Sequence, residues 1–240
     1  MKVWIGYEPR EKAAFAVAAK TAARYGCQVE PLYEDRLRKS GLLTRPMDTR
    51  GGMWDFNSSA PQATSFAVAR FWVFLLTHSG WAMFVDCDVL FLADPHQLLD
   101  LCDESKAVMV VKHGAFKSGR EIAHHDAKEV YLNTKTKMDN QPQTTYPRKL
   151  WSSVMLINAD HSANQRLNLT TLNQWPGRDL HAFKWLADDE IGELPPEANW
   201  LVGIQPKPAA PMIAHYTLGT PDMVEDCEHA DLWLAEREHV

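Results

Sequence analysis

The sequence predicts an α/β fold in a single domain. Three observations lead there: a strand–helix–strand opening, a set of short apolar runs of strand length further along, and the lack of any repeat or low-complexity linker that would divide the 240 residues. A chain of this length suffices for one large sheet-based domain.

Val3 to Ile5 is a short strand, and Gly6-Tyr7-Glu8-Pro9-Arg10 is the loop after it. Between Glu11 and Tyr25, Ala, Phe and Val recur at helical spacing, and Gly26 ends that helix. Gln28 to Leu32 supplies the next strand and completes a βαβ unit. Open α/β sheets bind ligands at the carboxyl ends of their strands, so the Gly6–Arg10 loop lies where a ligand is expected. Residues 40–60 read as irregular, with Gly51-Gly52 and Asn57-Ser58-Ser59. Pro61 then opens a helix to about Thr77, a proline being well placed in a first turn. Phe66, Arg70, Val73 and Thr77 share one stripe of that helix.

Trp81 to Val85 is a buried strand, and Val89 to Leu92 is an apolar stretch closed by Asp94-Pro95. His96 to Cys102 reads as a short helix and Ala107 to Val111 as another buried strand. Residues 113–150 are polar with few apolar anchors, the profile of a functional loop or lid. Val154 to Ile157 is a further buried strand; residues 166–175 and 178–187 mix helix and loop. Strand-like runs follow at 199–202 and 212–216, and Asp222 to Val240 is a polar helical tail.

Composition excludes several classes. Apolar residues make up 45% and charged residues 23%, an ordinary globular balance, and the net charge of −6 gives no electrostatic argument for a nucleic-acid partner. There is no P-loop, and no GxGxxG follows the first strand, which disfavours P-loop NTPases and the usual dinucleotide folds. Cys27, Cys87, Cys102 and Cys227 are widely spaced, so neither a zinc site nor a disulfide framework is indicated. The apolar part of MKVWIGYEPREK is too short for a signal peptide, and no run reaches membrane-spanning length. A cytoplasmic protein with reduced thiols and no transmembrane segment is the expectation. The sequon at Asn168 carries no weight without a secretion signal.

The stretch with chemistry in it is WAMFVDCDVLFLADP, residues 81–95. An apolar strand delivers Asp86 and Asp88 with one residue between them; on an extended backbone the two carboxylates share a face and Cys87 takes the other. Two unpaired carboxylates in so apolar a setting are costly to bury, and a divalent cation between them removes the cost. Arg70 is the cation of an otherwise apolar helix just upstream. It either pairs with a structural acid or grips an anion near the metal.

These residues resemble a family. FVDCDVLFLADP resembles the DxD segment of GT-A glycosyltransferases, in particular the family 8-like group (glycogenin-like and bacterial galactosyl- and glucosyltransferases). SSVMLIN resembles that group's NAGVLLIN-type strand, DDEIGELPPEANWL its acidic segment and Asn-containing strand, and HYTLGTP its late HxxG motif. KMDNQPQTTYPRKLWSSVMLIN and LHAFKWL look most like a compact bacterial and phage-type subgroup. There are departures: Ser152-Ser153 stands for Asn-Ala, and the late motif is His-x-x-x-Gly with no lysine after it.

The resemblance implies a GT-A fold: one domain with a central mixed, mostly parallel sheet flanked by helices. Residues 1–112 would form the nucleotide-binding half, 113–150 a lid, and 151–240 the acceptor half. It implies Asp86, Asp88 and His215 as ligands of Mn2+ or Mg2+, the imidazole favouring manganese. Arg70, Asp86, Gly6, Tyr7, Ser153 and Gly219 would line the donor, with Tyr7 stacking on the base or merely packing. Asp189 or Asp188 would stand near the anomeric carbon, the alternative being a solvated helix start. Lys112, His113, Lys137, Asp139, Arg148 and Lys149 are candidates for gripping an acceptor or closing over the donor.

The expected activity is transfer of a sugar from a nucleotide-diphosphate donor, a UDP-sugar in first place, to an unknown acceptor that is a glycan, a protein or a small molecule. Retention of anomeric configuration follows from the resemblance alone. A sugar nucleotidyltransferase is the first alternative, against which WIGYEPRE counts, since it lacks a glycine- and arginine-rich loop. A non-catalytic nucleotide-sugar-binding module is the second.

Overall fold

Apolar runs that do not alternate must be covered on both faces, and helices flanking a parallel sheet provide that cover. The computed structural model of the protein describes residues 1–50, 53–114, 116–117, 121–122 and 148–238. β1 (Lys2–Gly6) leads through α1 (Lys12–Arg24) to β2 (Gln28–Leu32), which pairs in parallel with β1. Gly26 turns the chain between them at φ 76°, a conformation open to glycine. The short α2 (Glu34–Lys39) follows and carries two i,i+4 ion pairs, Glu34–Arg38 and Asp35–Lys39.

The region expected to be irregular holds a small antiparallel sheet of β3 (Met47–Asp48), β4 (Trp54–Asp55) and β5 (Ala60–Pro61). Two-residue strands leave no periodicity for a sequence reading to find. Tertiary contacts hold them instead: buried Arg45 reaches Asp55 Oδ2 at 2.5 Å and the carbonyls of Leu172 and Trp175 at 2.7 and 2.8 Å. Pro61 therefore ends a strand and does not open a helix. The helix starts later, as α3 (Phe66–Ala69), tightens to a 3-10 turn over Arg70–Trp72, and resumes as α4 (Val73–Leu76).

β6 (Trp81–Val85) and β7 (Val89–Phe91) flank the turn that carries Asp86, Cys87 and Asp88. A 3-10 helix, Pro95–Leu101, leads to β8 (Val108–Val110). β9 (Phe116–Lys117) and β10 (Glu121–Ile122) form a hairpin; Lys137, Asp139 and most of the expected lid lie outside the described residues. β11 (Val154–Asn158) follows, then α5 (Leu169–Gln174), α6 (Gly177–His181), β12 (Ile191–Glu193), β13 (Trp200–Leu201), β14 (Ile213–His215) and α7 (Ala230–Arg237).

The main sheet has six strands in the order β12-β8-β11-β6-β1-β2. Its pairings are parallel except those of β11, which runs antiparallel to both β6 and β8. That is the central mixed, mostly parallel sheet expected. β13, β14 and β7 form a second sheet, with β13 parallel and β7 antiparallel to β14. α1 serves both: Ala18 and Ala22 enter the large core under the main sheet, whereas Val17 joins a smaller core with Leu90, Trp200, Val202, Ala214, Tyr216 and Trp233.

The buried Arg45–Asp55 pair gives a test of how the β3–β5 sheet is held. Asp55→Ala leaves a buried guanidinium without its counter-charge and is expected to cost about 3–5 kcal/mol, read as a lower urea midpoint at unchanged slope.

Candidate metal centre

The site begins with the pairing of β6 to β11. Val85 faces Val154 in that ladder, and the next amide, Asp86 N, donates to Ser153 O at 2.9 Å. The chain then leaves the sheet, passes Cys87, and re-enters as β7, whose Val89 pairs with His215. Tyr216 N donates to Asp88 O at 2.9 Å. Two backbone ladders thus bring Asp86, Asp88 and His215 together from distant parts of the sequence. One ligand atom from each lies within 4.8 Å of the other two. Cys87 turns away, fully buried, and its thiol donates to Glu11 Oε2 at 3.1 Å.

Arg70 is buried beside this cluster. Its Nε donates to Ala67 O at 3.0 Å and its Nη1 to Ser152 O at 2.9 Å, and its guanidinium lies 5.3 Å from the ring centroids of both Phe66 and Phe84. Nη1 also lies 2.8 Å from Asp86 Oδ1, and His215 Nε2 lies 3.2 Å from Asp88 Oδ1. Neither of those two buried oxygens accepts a well-aligned hydrogen bond. Orphaned carboxylate oxygens of this kind, next to an imidazole nitrogen, fit a divalent cation: two hard oxygen donors and one nitrogen, with room for other ligands to complete the shell.

The electrostatics agree. Burial pushes the Asp86 carboxyl up to about 6, against the pull of Arg70. Burial also pushes on Asp88, but His215 more than offsets it and holds that carboxyl below the usual range. His215, which burial alone would keep neutral, is raised by Asp88. Glu11, which the sequence reading treated only as a helix start, is raised to about 8 by burial and by the Asp88 charge. Its neighbour Glu8 is held low despite burial, because Arg10 Nε at 2.8 Å and Ser65 N at 2.8 Å both donate to it.

The other expected site residues fall as follows. Gly6 is packed so closely that a Cβ would meet the Phe66 ring at 2.5 Å. Tyr7 is half-buried at the carboxyl end of β1, stacked edge-on to Phe15 and tilted against Tyr33. Ser153 is buried and bonded to Leu150 O and Asn199 Nδ2. Gly219 has φ 118°, where Val224 leaves no space for a side chain. Lys112 and Arg148 lie 5.9 and 5.4 Å from the Trp151 ring centroid, and His113 and Lys149 are buried.

Asp188 and Asp189 do not converge with Arg70 on one sheet edge. β12 runs parallel to β8, and β8 and β6 run the same way across the antiparallel β11. Asp86 follows β6, whereas the exposed turn Asp188–Glu190 precedes β12, so the backbone of that turn enters the sheet from the other end. Asp189 O accepts Lys106 Nζ at 2.9 Å and Asp188 pairs with Arg148. An acidic cluster shows its charge in the sequence but not the direction of the strand it introduces.

No family model matches the sequence. Protein CDI of Arabidopsis thaliana is 38% identical over 248 residues, covering 99% of this chain and 86% of that protein. Among solved structures, the bifunctional glycosyltransferase WbbM superposes with a TM-score of 0.60 at 14% identity over all of this chain. The apo glycosyltransferase GlyE of Streptococcus pneumoniae TIGR4 gives 0.55 at 12% over 98% of it. The galactosyltransferase LgtC, solved with donor and acceptor sugar analogues, gives 0.55 at 12% over all of this chain and 96% of its own. The chain spans half the length of WbbM and 59% of GlyE. The fold is GT-A. Among the described residues no helix is long and apolar enough to cross a membrane.

Glu11 yields a pH test in the metal-free protein. Its folded value of about 8 exceeds its ordinary 4.5, so the folded state holds a proton that the unfolded chain has lost, and stability drains away as pH rises between those values. Glu11→Gln removes this drain. The variant should match the parent at pH 4 and exceed it at pH 8, measured by urea unfolding at both.

Proposed function

We propose that this chain, which belongs to the same family as Protein CDI of Arabidopsis thaliana, is a metal-dependent glycosyltransferase of the family 8-like type that uses a nucleotide-diphosphate sugar. The observation that carries the reading is the Asp86–Asp88–His215 cluster with its orphaned carboxylate oxygens, set in a GT-A fold at the carboxyl end of β6. A divalent cation held there, Mn2+ in first place, supplies Lewis-acid stabilisation of the charge that builds on a departing nucleoside diphosphate.

The chain's own groups do the rest. Arg70 is fixed by two carbonyls and two aromatic rings, so its guanidinium is already oriented when an anion arrives beside Asp86. Tyr7 offers a ring at the end of β1, the place where an α/β sheet receives a base. Retention rests on the family 8-like resemblance and not on side-chain geometry, and a UDP-sugar is the donor taken in first place. No step of the proposed transfer is assigned to Asp188 or Asp189; their turn introduces β12, with Asp188 paired to Arg148. The acceptor is a glycan, a protein or a small molecule. The free cysteines among the described residues suit the cytoplasmic placement read from the sequence.

Calorimetry with UDP, with and without Mn2+, is the direct test. UDP should bind at least tenfold more tightly with the metal. Asp88→Ala should abolish that difference, while Cys87→Ser, altering a group that faces Glu11, should leave it intact. Equal UDP affinity with and without Mn2+ in the parent would sink the reading.

A further inference from the structure

His215 has two ring nitrogens, and only one faces the cluster. A neutral imidazole carries one N–H and one lone pair, so the nitrogen that holds the proton decides whether the other can ligate. Nε2 lies 3.2 Å from Asp88 Oδ1, and Nδ1 lies 3.0 Å from Asn199 Oδ1. Without a cation both nitrogens face acceptors; once a cation takes the place of a proton on Nε2, the Asn199 amide is the group that decides whether Nδ1 can keep its own. Turned half a rotation, it would present NH2 to Nδ1 and reverse the tautomer.

Its orientation traces back to a backbone carbonyl. Leu150 O accepts the Ser153 hydroxyl at 2.6 Å, and a carbonyl has no proton to give, so the hydroxyl hydrogen is committed. Ser153 Oγ is left with lone pairs only, and its neighbour at 2.9 Å must be a donor, which is Asn199 Nδ2. His113 Nε2 takes a second hydrogen from the same NH2 at 3.0 Å. Oδ1 is then turned to His215 Nδ1, which must carry the N–H. Asn199, Ser153, His113 and His215 are all buried, so water does not compete for these places. Leu150 sits at φ 66° in the left-handed region, in a turn where its carbonyl takes both the amide and the hydroxyl of Ser153.

We infer that Asn199 is a positioning residue for the cation site: through Ser153 and the Leu150 carbonyl it holds His215 as the Nδ1–H tautomer, with the Nε2 lone pair directed at the cluster. This rests on the reading of Asp86, Asp88 and His215 as cation ligands. Partners that orient a ligating imidazole in this way typically change metal affinity by about 10- to 100-fold when removed.

Two measurements test it: nitrogen-15 spectra of the His215 ring in the protein loaded with diamagnetic Mg2+, where the cation and not a proton faces Asp88 beside Nε2, and Mn2+ affinity by electron paramagnetic resonance. The parent should show Nδ1–H. Asn199→Leu should lose that preference and bind Mn2+ about 10- to 100-fold more weakly. Asn199→Asp, which keeps an acceptor at the same place, should retain the tautomer and recover most of the affinity. Ser153→Ala, which frees the amide to turn, should shift the tautomer in the same direction as Asn199→Leu and stands in for it if that variant does not fold. A parent ring protonated at Nε2, or Mn2+ binding by Asn199→Leu within twofold of the parent, overturns the inference. A parent that binds no Mn2+ sinks the cation-site reading instead, and the ring spectrum of metal-free Asp88→Ala, in which no carboxylate faces Nε2, then decides the tautomer.

Discussion

Two carboxylates one residue apart, each with one oxygen buried at the end of an apolar strand, are the constraint around which this chain is arranged. Burying such charges without compensation is prohibitive, so the surroundings are built to offset them. Arg70 approaches from one side, on a helix that tightens to a 3-10 turn where the guanidinium leaves it. His215 approaches from the other, carried by a second sheet whose register is fixed by its pairing with β7. Glu11 completes the setting from below Cys87, and its proton keeps a further negative charge out of the interior.

Much of this was legible in the sequence because it lies in local patterns. The strand WAMFV, the two aspartates after it, and the apolar run beyond announce a buried strand that ends in charge. Arg70 on an apolar helix and His215 at the end of IAH are single departures from hydrophobic segments, and such departures are visible. The βαβ opening and the strands at 107–111 and 154–157 follow from periodicity and length alone.

What was not legible depends on contacts distant in sequence. The β3–β5 sheet is held by Arg45 reaching Leu172 and Trp175, and no window around residue 50 contains that information. Pro61 looked like a helix start because proline favours first turns, but the pairing of Ala60 with Asp55 claimed it for a strand. The direction of β12, parallel to β8, was not legible either, and it sets Asp189 just ahead of the start of that strand. Asn199 was visible as the asparagine of a motif, read as part of a strand although it closes a 3-10 turn before β13; its contacts appear only when Ser153, His113 and His215 close around it. The shared topology with chains at 12–14% identity has the same character, since it survives in backbone arrangement after most side chains have changed.

The two apolar cores give the molecule an uneven resistance to opening. Asp86 follows a strand of the main sheet, whereas His215 belongs to the sheet sealed by the small core of Trp200, Tyr216 and Trp233. Cooperative units of this size can open below the free energy of global unfolding. Release of α7 from α1 would loosen that small core and with it the pairing of β14 to β7, which carries both the imidazole and Asp88, while the six-stranded sheet kept Asp86 in place. The packing of α7, remote from the chemistry, would thereby bear on how firmly the imidazole and Asp88 are held beside Asp86.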